Sequence, residues 1–188
     1  HTAIVALYLR TMATSATVRS QCQTVLDNID HDGMAIYTKD GIRASFRRQM
    51  EVHPNDPDAY IFKAFWPSFN RSEPYYCDQG HADAFITYVI AAMEQEYGDW
   101  ALSDIQKLLA MAPQYWPSAG VYGYWLLGAA AENNRRNGGN YNDGTLKLGG
   151  FNAAFQRRVE THTSTVNGAQ FQGCGALNAA RLLGTVAR

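Results

Sequence analysis

The stretch HADAFITYVIAAMEQEY, residues 81–97, carries the clearest helical signal in this chain. It contains neither proline nor glycine, and most of its residues are apolar. Gly98 follows at once, and glycine is the residue that most often closes a helix at its carboxyl end. We therefore predict a helix over residues 81–97 that is closed by Gly98.

Segments on both sides of this stretch carry the same kind of signal, in which apolar residues recur at helical spacing between capping and terminating residues. The segment 118–134 is almost entirely apolar, so it should be the most buried helix of the core. Ser103 should cap a helix that Pro113 ends. The helix capped by Ser103 covers residues 103–112. The remaining predicted helices cover residues 14–28, 41–52, 58–66, 151–160 and 175–187.

A short β-hairpin is expected between the first two of these helices. The stretch IDHDGMAIYTKDG, residues 29–41, has two Asp-Gly pairs around a β-prone run, and Asp-Gly favours tight hairpin turns. No period of about 20 to 50 residues repeats, which argues against a solenoid. The patterns predict an all-α, mainly helical single domain over residues 1–188 with one small β-hairpin, and residues 164–188 are a candidate C-terminal arm.

Composition indicates a folded protein and excludes several classes of function. The 188 residues are 46% apolar, which excludes a disordered chain, and the net charge of −1 excludes steering of partners by bulk charge. No apolar run reaches the roughly 18 residues of a membrane-spanning helix, and the opening HTAIVALYLR lacks a signal-peptide pattern. We therefore expect no membrane partner and a processed, cloned or merely ordered start at His1.

The cysteine pattern and one acidic motif give no sign of a metal or cofactor. Cys22, Cys77 and Cys174 are far apart and odd in number, so we expect reduced, buried thiols in an intracellular protein. NIDHDG, residues 28–33, matches the first half of a calcium-binding EF-hand loop. Lys39, however, stands where that loop needs a bidentate glutamate, so a tight turn is the better interpretation. We expect no metal and no cofactor.

The use of arginine favours contacts with anions. Twelve of the 16 basic residues are arginines, and six of these form the doublets 47–48, 135–136 and 157–158. A guanidinium binds phosphate through two parallel hydrogen bonds and tolerates burial better than an ammonium group does. For any single doublet, codon bias and ordinary surface arginines are the better explanation. Three doublets in a chain with only four lysines favour anion binding.

Two carboxylates offer an enzymatic alternative. Glu94 and Glu96 stand at the end of the predicted helix 81–97, and lysozyme-like glycosidases place their general acid at such a helix end. Spacing places no second carboxylate, and exposed carboxylates on the wet face of a helix are the simpler interpretation. A lysozyme-like glycosidase that acts on peptidoglycan or chitin is the alternative function.

The stretch FRRQM, followed by DAYIFK in residues 58–63, resembles the coat protein of potyviruses, which are flexible filamentous plant viruses. The positions that match at the family's relative spacing are Phe46, Arg47, Met50, Ala59, Tyr60, Ile61 and Lys63. Looser similarities follow in the same order along the chain, and they need insertions: PYY (74–76), EYGDWALSD (96–104), SAGVYGY (118–124), LGGFN (148–152), VETHT (159–163) and RLLG (181–184).

This resemblance implies a structural protein. Coat proteins of the family are helical cores that polymerise around single-stranded RNA, and each core receives an extended arm from its neighbour. Their RNA groove is lined by a serine, an arginine and an aspartate, and the first two correspond here to Ser20 and Arg47. Trp125 occupies the place of the aspartate, so Asp104 is the candidate substitute. Arg48 would face a neighbouring subunit or solvent.

The physical chemistry of a coat is consistent with this composition. A coat must bind any RNA sequence, so it needs phosphate contacts and no base readout. One arginine per subunit, repeated along a filament, neutralises RNA without making the subunit basic. We therefore predict a non-enzymatic coat subunit, found in the virion and, before assembly, in the host cytoplasm. Its partners would be single-stranded RNA and identical subunits in a homopolymeric filament. A helical interaction module with neither activity is a third interpretation.

Overall fold

A computed structural model describes residues 2–32, 34–35, 43–63, 76–116, 126–127, 143–161 and 168–184 of the chain. These stretches form one compact domain that is mostly helical, with one two-stranded antiparallel hairpin and one shorter strand pairing. The predicted fold class, an all-α domain with a small β-hairpin, is confirmed.

Eight α-helices lie in the described part of the chain. They are α1 (Thr2–Met12), α2 (Ala16–Asp27), α3 (Phe46–Gln49), α4 (Gln79–Glu94), α5 (Leu102–Tyr115), α6 (Asp143–Lys147), α7 (Ala153–Thr161) and α8 (Gly168–Leu182). Helices α2, α4, α7 and α8 coincide with predicted ones, although α8 begins well before the predicted position. The predicted helix 118–134 falls outside the described residues except at 126–127. None of the helices in the described ranges is long and apolar enough to cross a bilayer.

Four short strands lie among these helices: β1 (Met34–Ala35), β2 (Arg43–Ala44), β3 (Met50–His53) and β4 (Asp56–Phe62). β3 pairs antiparallel with β4, and the register shifts between Val52 and His53. β1 pairs antiparallel with β2, so this pairing begins inside the predicted hairpin stretch 29–41 and ends beyond it. The residues between β1 and β2 lie outside the described part of the chain.

The two helices predicted over residues 41–52 and 58–66 are wrong. The first is the single turn of α3 flanked by β2 and β3, and the second is β4 as far as Phe62. Pro54 and Pro57 explain the error, because each lacks a backbone donor and the residue before a proline is pushed towards an extended conformation. The aromatic and β-branched residues that we assigned to a helix also pack well on a pleated surface.

The core surrounds α4, which packs against α1, α5 and α6. Its side chains Ile86, Val89 and Ile90 are completely or almost completely buried. Phe46 of α3 stacks on Tyr88 of α4, with ring centroids 4.3 Å apart. Because this contact holds the single turn of α3 against the central helix, it also fixes the position of the adjacent Arg47.

The turn after α4 differs in detail from the prediction. The helix ends at Glu94, three residues before the predicted end. Glu96 and Gly98 both have positive φ angles, +48° and +62°. Left-handed backbone at these two positions turns the chain back towards the start of α5.

Both ends of α5 also differ from the prediction. The carboxylate of Asp104, not Ser103, caps the helix, because its Oδ2 accepts a hydrogen bond of 2.8 Å from the backbone N–H of Ala101. A negative charge in the first turn also suits the helix dipole. Pro113 lies inside the helix, which continues to Tyr115. Because proline has no backbone N–H, the carbonyl of Leu109 receives no intrahelical hydrogen bond from position 113.

The C-terminal part of the described chain is held by buried polar contacts. The amide Nδ2 of Asn178 in α8 donates to the carbonyl of Leu146 and to Oε1 of Gln156, each at 2.7 Å. Nε of Arg181 donates to Oε1 of Glu94 at 2.7 Å, which joins α8 to α4. The role of residues 164–188 as an arm stays a prediction.

Candidate functional site around Arg47

Helix α3 places the neighbouring Arg47 and Arg48 in different environments. The hydroxyl of Ser45 accepts a hydrogen bond of 3.1 Å from the backbone N–H of Arg48 and so starts the helical turn. The side chain of Arg47 is 27% exposed and lies against the body of the domain. Arg48 is exposed. One arginine of the doublet therefore belongs to a partly buried site, and the other faces outward.

Asp30 is the carboxylate beside Arg47. It lies in the wide π-type turn Asn28–Asp32 that follows α2, and its side chain is completely buried. Its Oδ1 lies 3.4 Å from Nε of Arg47, and its Oδ2 accepts a hydrogen bond of 3.0 Å from the indole nitrogen of Trp100. Nε2 of the half-exposed His31 is 3.6 Å from the same Oδ2. A buried carboxylate thus stands between a cation and the indole N–H of Trp100, with the His31 ring nearby.

Trp100 forms the back wall of the site. The guanidinium carbon of Arg47 lies 3.7 Å from the centroid of the Trp100 ring system, which is close enough for a cation–π interaction. Trp100 itself is buried. Because the ring on one side and Asp30 on the other restrain the guanidinium, its orientation is set before any ligand arrives.

The Arg47–Asp30 pair does not use its full hydrogen-bonding capacity. Nε and Nη2 of Arg47 and Oδ1 of Asp30 are buried, and they have no hydrogen-bond partner among the described residues. At 3.4 Å the two charges attract, but the geometry is too poor for a hydrogen bond. Nε and Nη2 of Arg47 are therefore unpaired donors in the buried part of a side chain that is 27% exposed overall.

Gly98 closes the site from the backbone side. A Cβ atom at this position would lie 3.1 Å from Oδ2 of Asp30, 3.4 Å from Nη2 of Arg47 and 3.5 Å from the Trp100 ring. The positive φ angle of +62° already favours glycine. Gly98, which we predicted as a helix cap, therefore lets the main chain approach Asp30 and Arg47 closely.

Two tyrosines near Asp30 stay protonated. Burial raises the pKa of Tyr88, and the negative charge of Asp30 raises it further. Burial also raises the pKa of Tyr97, whose hydroxyl donates a hydrogen bond of 2.9 Å to Oδ1 of Asp27. The guanidinium of Arg10 stacks over the Tyr97 ring at 5.1 Å and ties α1 to the same region. The surroundings of Asp30 are thus neutral phenols and cations, with Asp27 the neighbouring carboxylate.

Ser20 and Asp104, which were also predicted to line an RNA groove, make their hydrogen bonds with residues other than Arg47. Ser20 is exposed on α2, and its carbonyl accepts a hydrogen bond from the hydroxyl of Thr24. Oδ1 of Asp104 accepts a hydrogen bond of 3.1 Å from Tyr60, and its Oδ2 caps α5. Among the described hydrogen bonds and ion pairs, none joins Ser20 or Asp104 to Arg47. Their part in RNA binding stays a prediction.

Asp30 is the site residue that sequence reasoning missed. We interpreted NIDHDG only as a turn or a failed calcium loop, and that motif was the one local signal for an acidic residue near the doublet. Asp30 and Trp100 are 70 positions apart, so no spacing rule could have joined them. The pairing depends on the tertiary fold.

The two glutamates of the enzymatic alternative occupy different environments. Glu94 is 17% exposed and is bound by Arg181 through Nε at 2.7 Å. Glu96 is exposed in the turn after α4. Glu94 therefore already has a structural partner, and Glu96 stands in water rather than in the apolar surroundings of a typical general acid.

The described residues contain no group of three or more His, Cys, Asp or Glu side chains placed to hold a metal ion. Cys22, Cys77 and Cys174 are free and buried. Burial raises the pKa of the Cys77 thiol to about 12, and the neighbouring charge of Asp78 adds to the shift. This thiol is therefore protonated at neutral pH and is a poor nucleophile.

No protein-family model matches the chain, and no curated protein or solved structure matches it either. The resemblance to filamentous coat proteins accordingly depends on the quoted sequence stretches alone. Any statement of function has to be argued from Arg47 and its surroundings.

Proposed function

We propose that this chain is a structural coat subunit that polymerises around single-stranded RNA and binds its phosphates without reading bases. The observation that supports this proposal is the state of Arg47, whose guanidinium is oriented by Asp30 and Trp100 on a side chain that is 27% exposed. Guanidinium groups bind phosphate oxygens more strongly than neutral donors do. An oriented arginine loses less entropy when it binds than a free surface arginine does.

The charge of Asp30 suits a coat rather than a tight monomeric RNA binder. It balances Arg47 in the free subunit, whose net charge is −1, so a single subunit attracts RNA only weakly. Affinity would then come from many subunits on one strand, each adding a phosphate contact. The exposed Arg48 lies next in sequence and would contact the RNA or a neighbouring subunit.

The glycosidase alternative has less support in the described contacts. Its candidate acid Glu94 is held by Arg181, and Glu96 is exposed. An activity assay tests this alternative. If the protein clears a peptidoglycan suspension and the Glu96→Gln variant does not, the coat proposal is contradicted.

The contribution of Arg47 is best tested with a double variant, Asp30→Asn together with Arg47→Gln. Replacing Arg47 alone would leave the buried charge of Asp30 unpaired, which typically costs about 3–5 kcal/mol and could unfold the domain. The double variant removes both charges and leaves the net charge unchanged. Asp99→Asn with Arg19→Gln is the matched control, because both residues are exposed, neither belongs to an arginine doublet, and the net charge is again unchanged.

We expect the Asp30/Arg47 variant to lose nuclease protection of RNA, whereas the control protects RNA like the wild type. Binding of a fluorescent poly(U) strand should also depend less on salt, since each phosphate contact contributes about 0.7 to the logarithmic slope for single strands. Circular dichroism should show unchanged helix content. Normal packaging by the folded Asp30/Arg47 variant would remove Arg47 from the proposed RNA site.

A further inference from the structure

The arginine doublet 157–158 lies on α7 and repeats the arrangement of the doublet 47–48. The guanidinium carbon of Arg158 lies 5.6 Å from the centroid of the Trp116 ring, which is within the range of a cation–π interaction. Trp116 is completely buried. Arg157, the other member of the doublet, is exposed. Each doublet thus has one arginine that stacks on a buried tryptophan and one that faces outward.

Packing against the same tryptophan fixes the orientation of α7. Phe155 precedes Arg158 by three positions, so the two side chains lie on one face of the helix. The Phe155 ring meets the Trp116 ring edge to face, with centroids 5.7 Å apart. Phe155 and Val159 are buried, so this face of α7 packs against the domain. The packing leaves Arg157 on the side of α7 that is open to solvent.

The charge of Arg157 is available to a ligand. Within the part of the chain that the structure describes, Arg157 forms neither a hydrogen bond nor an ion pair with another side chain. Glu160 is the carboxylate of α7, and its Oε1 accepts a hydrogen bond of 2.9 Å from Nε2 of Gln156. A guanidinium with free donors is a strong ligand for phosphate, because it can form two parallel, charge-assisted hydrogen bonds.

The two doublets lie at opposite ends of α5. Trp100 comes two residues before α5 begins, and Trp116 follows directly after it ends. Because α5 has 14 residues, its ends are about 21 Å apart. A single phosphate cannot contact both doublets at this separation. A strand that carries a phosphate on every nucleotide can supply both contacts.

We propose that Arg157 and Arg158, here called the α7 arginine site, bind phosphate groups of single-stranded RNA at the end of α5 that is remote from Arg47. This inference rests on the proposed coat function and adds a second phosphate contact to it. Trp116 holds Arg158 in place, so the site is partly ordered before RNA arrives. Contacts to phosphates carry no sequence information, so this site too would bind any RNA sequence.

The test is binding of a fluorescent poly(U) strand at several salt concentrations by the wild type, Arg157→Gln and Arg19→Gln. Arg19→Gln is the matched control, because each substitution removes one positive charge from an exposed arginine. We expect Arg157→Gln to lower the logarithmic salt slope by about 0.7 and Arg19→Gln to leave it unchanged. Circular dichroism should show the same helix content in every sample.

A triple variant measures whether the two contacts are independent. Arg157→Gln added to Asp30→Asn and Arg47→Gln should lower the slope by about 1.4 in total, because sites this far apart contribute additively. Vesicles that contain phosphatidylglycerol and a titration with inorganic phosphate test the other sources of phosphate groups. We expect neither of them to displace poly(U) from the wild type at equal concentrations of phosphate groups.

A salt slope for Arg157→Gln equal to that of the wild type would overturn the α7 arginine site and leave the coat function to Arg47. Equal losses in Arg157→Gln and Arg19→Gln would also overturn it, since they would show a general effect of charge. A loss in Arg157→Gln without one in the Asp30/Arg47 variant would contradict the site around Arg47 and support the α7 arginine site. Displacement of poly(U) by vesicles or by inorganic phosphate would assign the arginines to lipid headgroups or to free phosphate. A wild type that does not bind poly(U) would contradict both proposals.

Discussion

Asp30 is completely buried, and its charge is balanced by Arg47, by the indole N–H of Trp100 and by the nearby ring of His31. Burial of a carboxylate is costly unless such partners are present, so this arrangement constrains every residue that touches it. Gly98 is the clearest case, because it combines left-handed backbone with close approach to the pair.

Gly98→Ala should lower the free energy of unfolding by about 1–3 kcal/mol. The new methyl group would meet Oδ2 of Asp30 at 3.1 Å, on a backbone with φ of +62° that alanine rarely adopts. Urea denaturation monitored by circular dichroism measures the loss.

Glu96→Gly is the matched control for this prediction. Glu96 has a φ angle of +48° in the same turn, so glycine should relieve strain there and leave stability unchanged or raise it by up to about 1 kcal/mol. If both substitutions destabilise the protein equally, backbone conformation and close approach do not explain why glycine occupies position 98.

Sequence reasoning identified some of these residues but not their relations. It singled out Arg47 from the doublet and from a family resemblance, and it noticed Gly98 as a helix terminator. It could not pair Arg47 with Asp30 or Trp100, since the three come together only when α2, α3 and the turn after α4 pack. The acidic partner was sought in Asp104 because Trp125 occupies the place of the family's aspartate.

The β3–β4 hairpin is fastened at its turn by a buried histidine. Nδ1 of His53 accepts a hydrogen bond of 3.1 Å from the backbone N–H of Asn55, so the proton is on Nε2, which donates to the carbonyl of Leu126 at 3.3 Å. Nδ2 of Asn55 donates to the carbonyl of Leu127 at 3.3 Å. The hairpin turn is thus joined to residues 126–127 through a neutral imidazole.

Stability should therefore fall in mild acid. Burial lowers the pKa of His53 from its usual 6.5, although the Leu126 contact and Asp56 oppose the shift. Because the unfolded chain binds the proton more tightly, the free energy of unfolding should decrease as the pH falls below about 6.5, towards the lowered value. Above that pH this contribution is complete.

The measurement is urea denaturation of the wild type and of His53→Gln between pH 7.5 and 5. The variant cannot titrate at this position, so its stability should vary less with pH than that of the wild type. The exposed His81 offers a control, since His81→Asn should leave the contribution of His53 in place. Identical pH dependence of wild type and His53→Gln would contradict this role.

At the scale of elements, helices with a clear apolar pattern were predictable and the β3–β4 hairpin was not. α4 follows directly from residues 81–97, and α7 from residues 151–160. The segment with Pro54 and Pro57 was misassigned because short apolar, aromatic runs fit a helix or a strand equally well. The pairing of β3 with β4 decides between them, and the periodicity within either segment does not report it.

Considered as a whole, the molecule is a nearly neutral helical domain with one oriented arginine and one exposed apolar helix face. The oriented arginine is the feature that supports the proposed coat function. The single domain and its helical class could be predicted from the sequence. Helix α1 was not predicted, and its exposed apolar side chains could not be, because only the fold shows which side of the helix is covered.

The most direct test of the coat proposal is negative-stain electron microscopy of the purified protein, paired with its absorbance ratio at 260 and 280 nm. The proposal predicts flexible filaments whose absorbance shows bound nucleic acid. Small discrete particles with the absorbance of protein alone would contradict it.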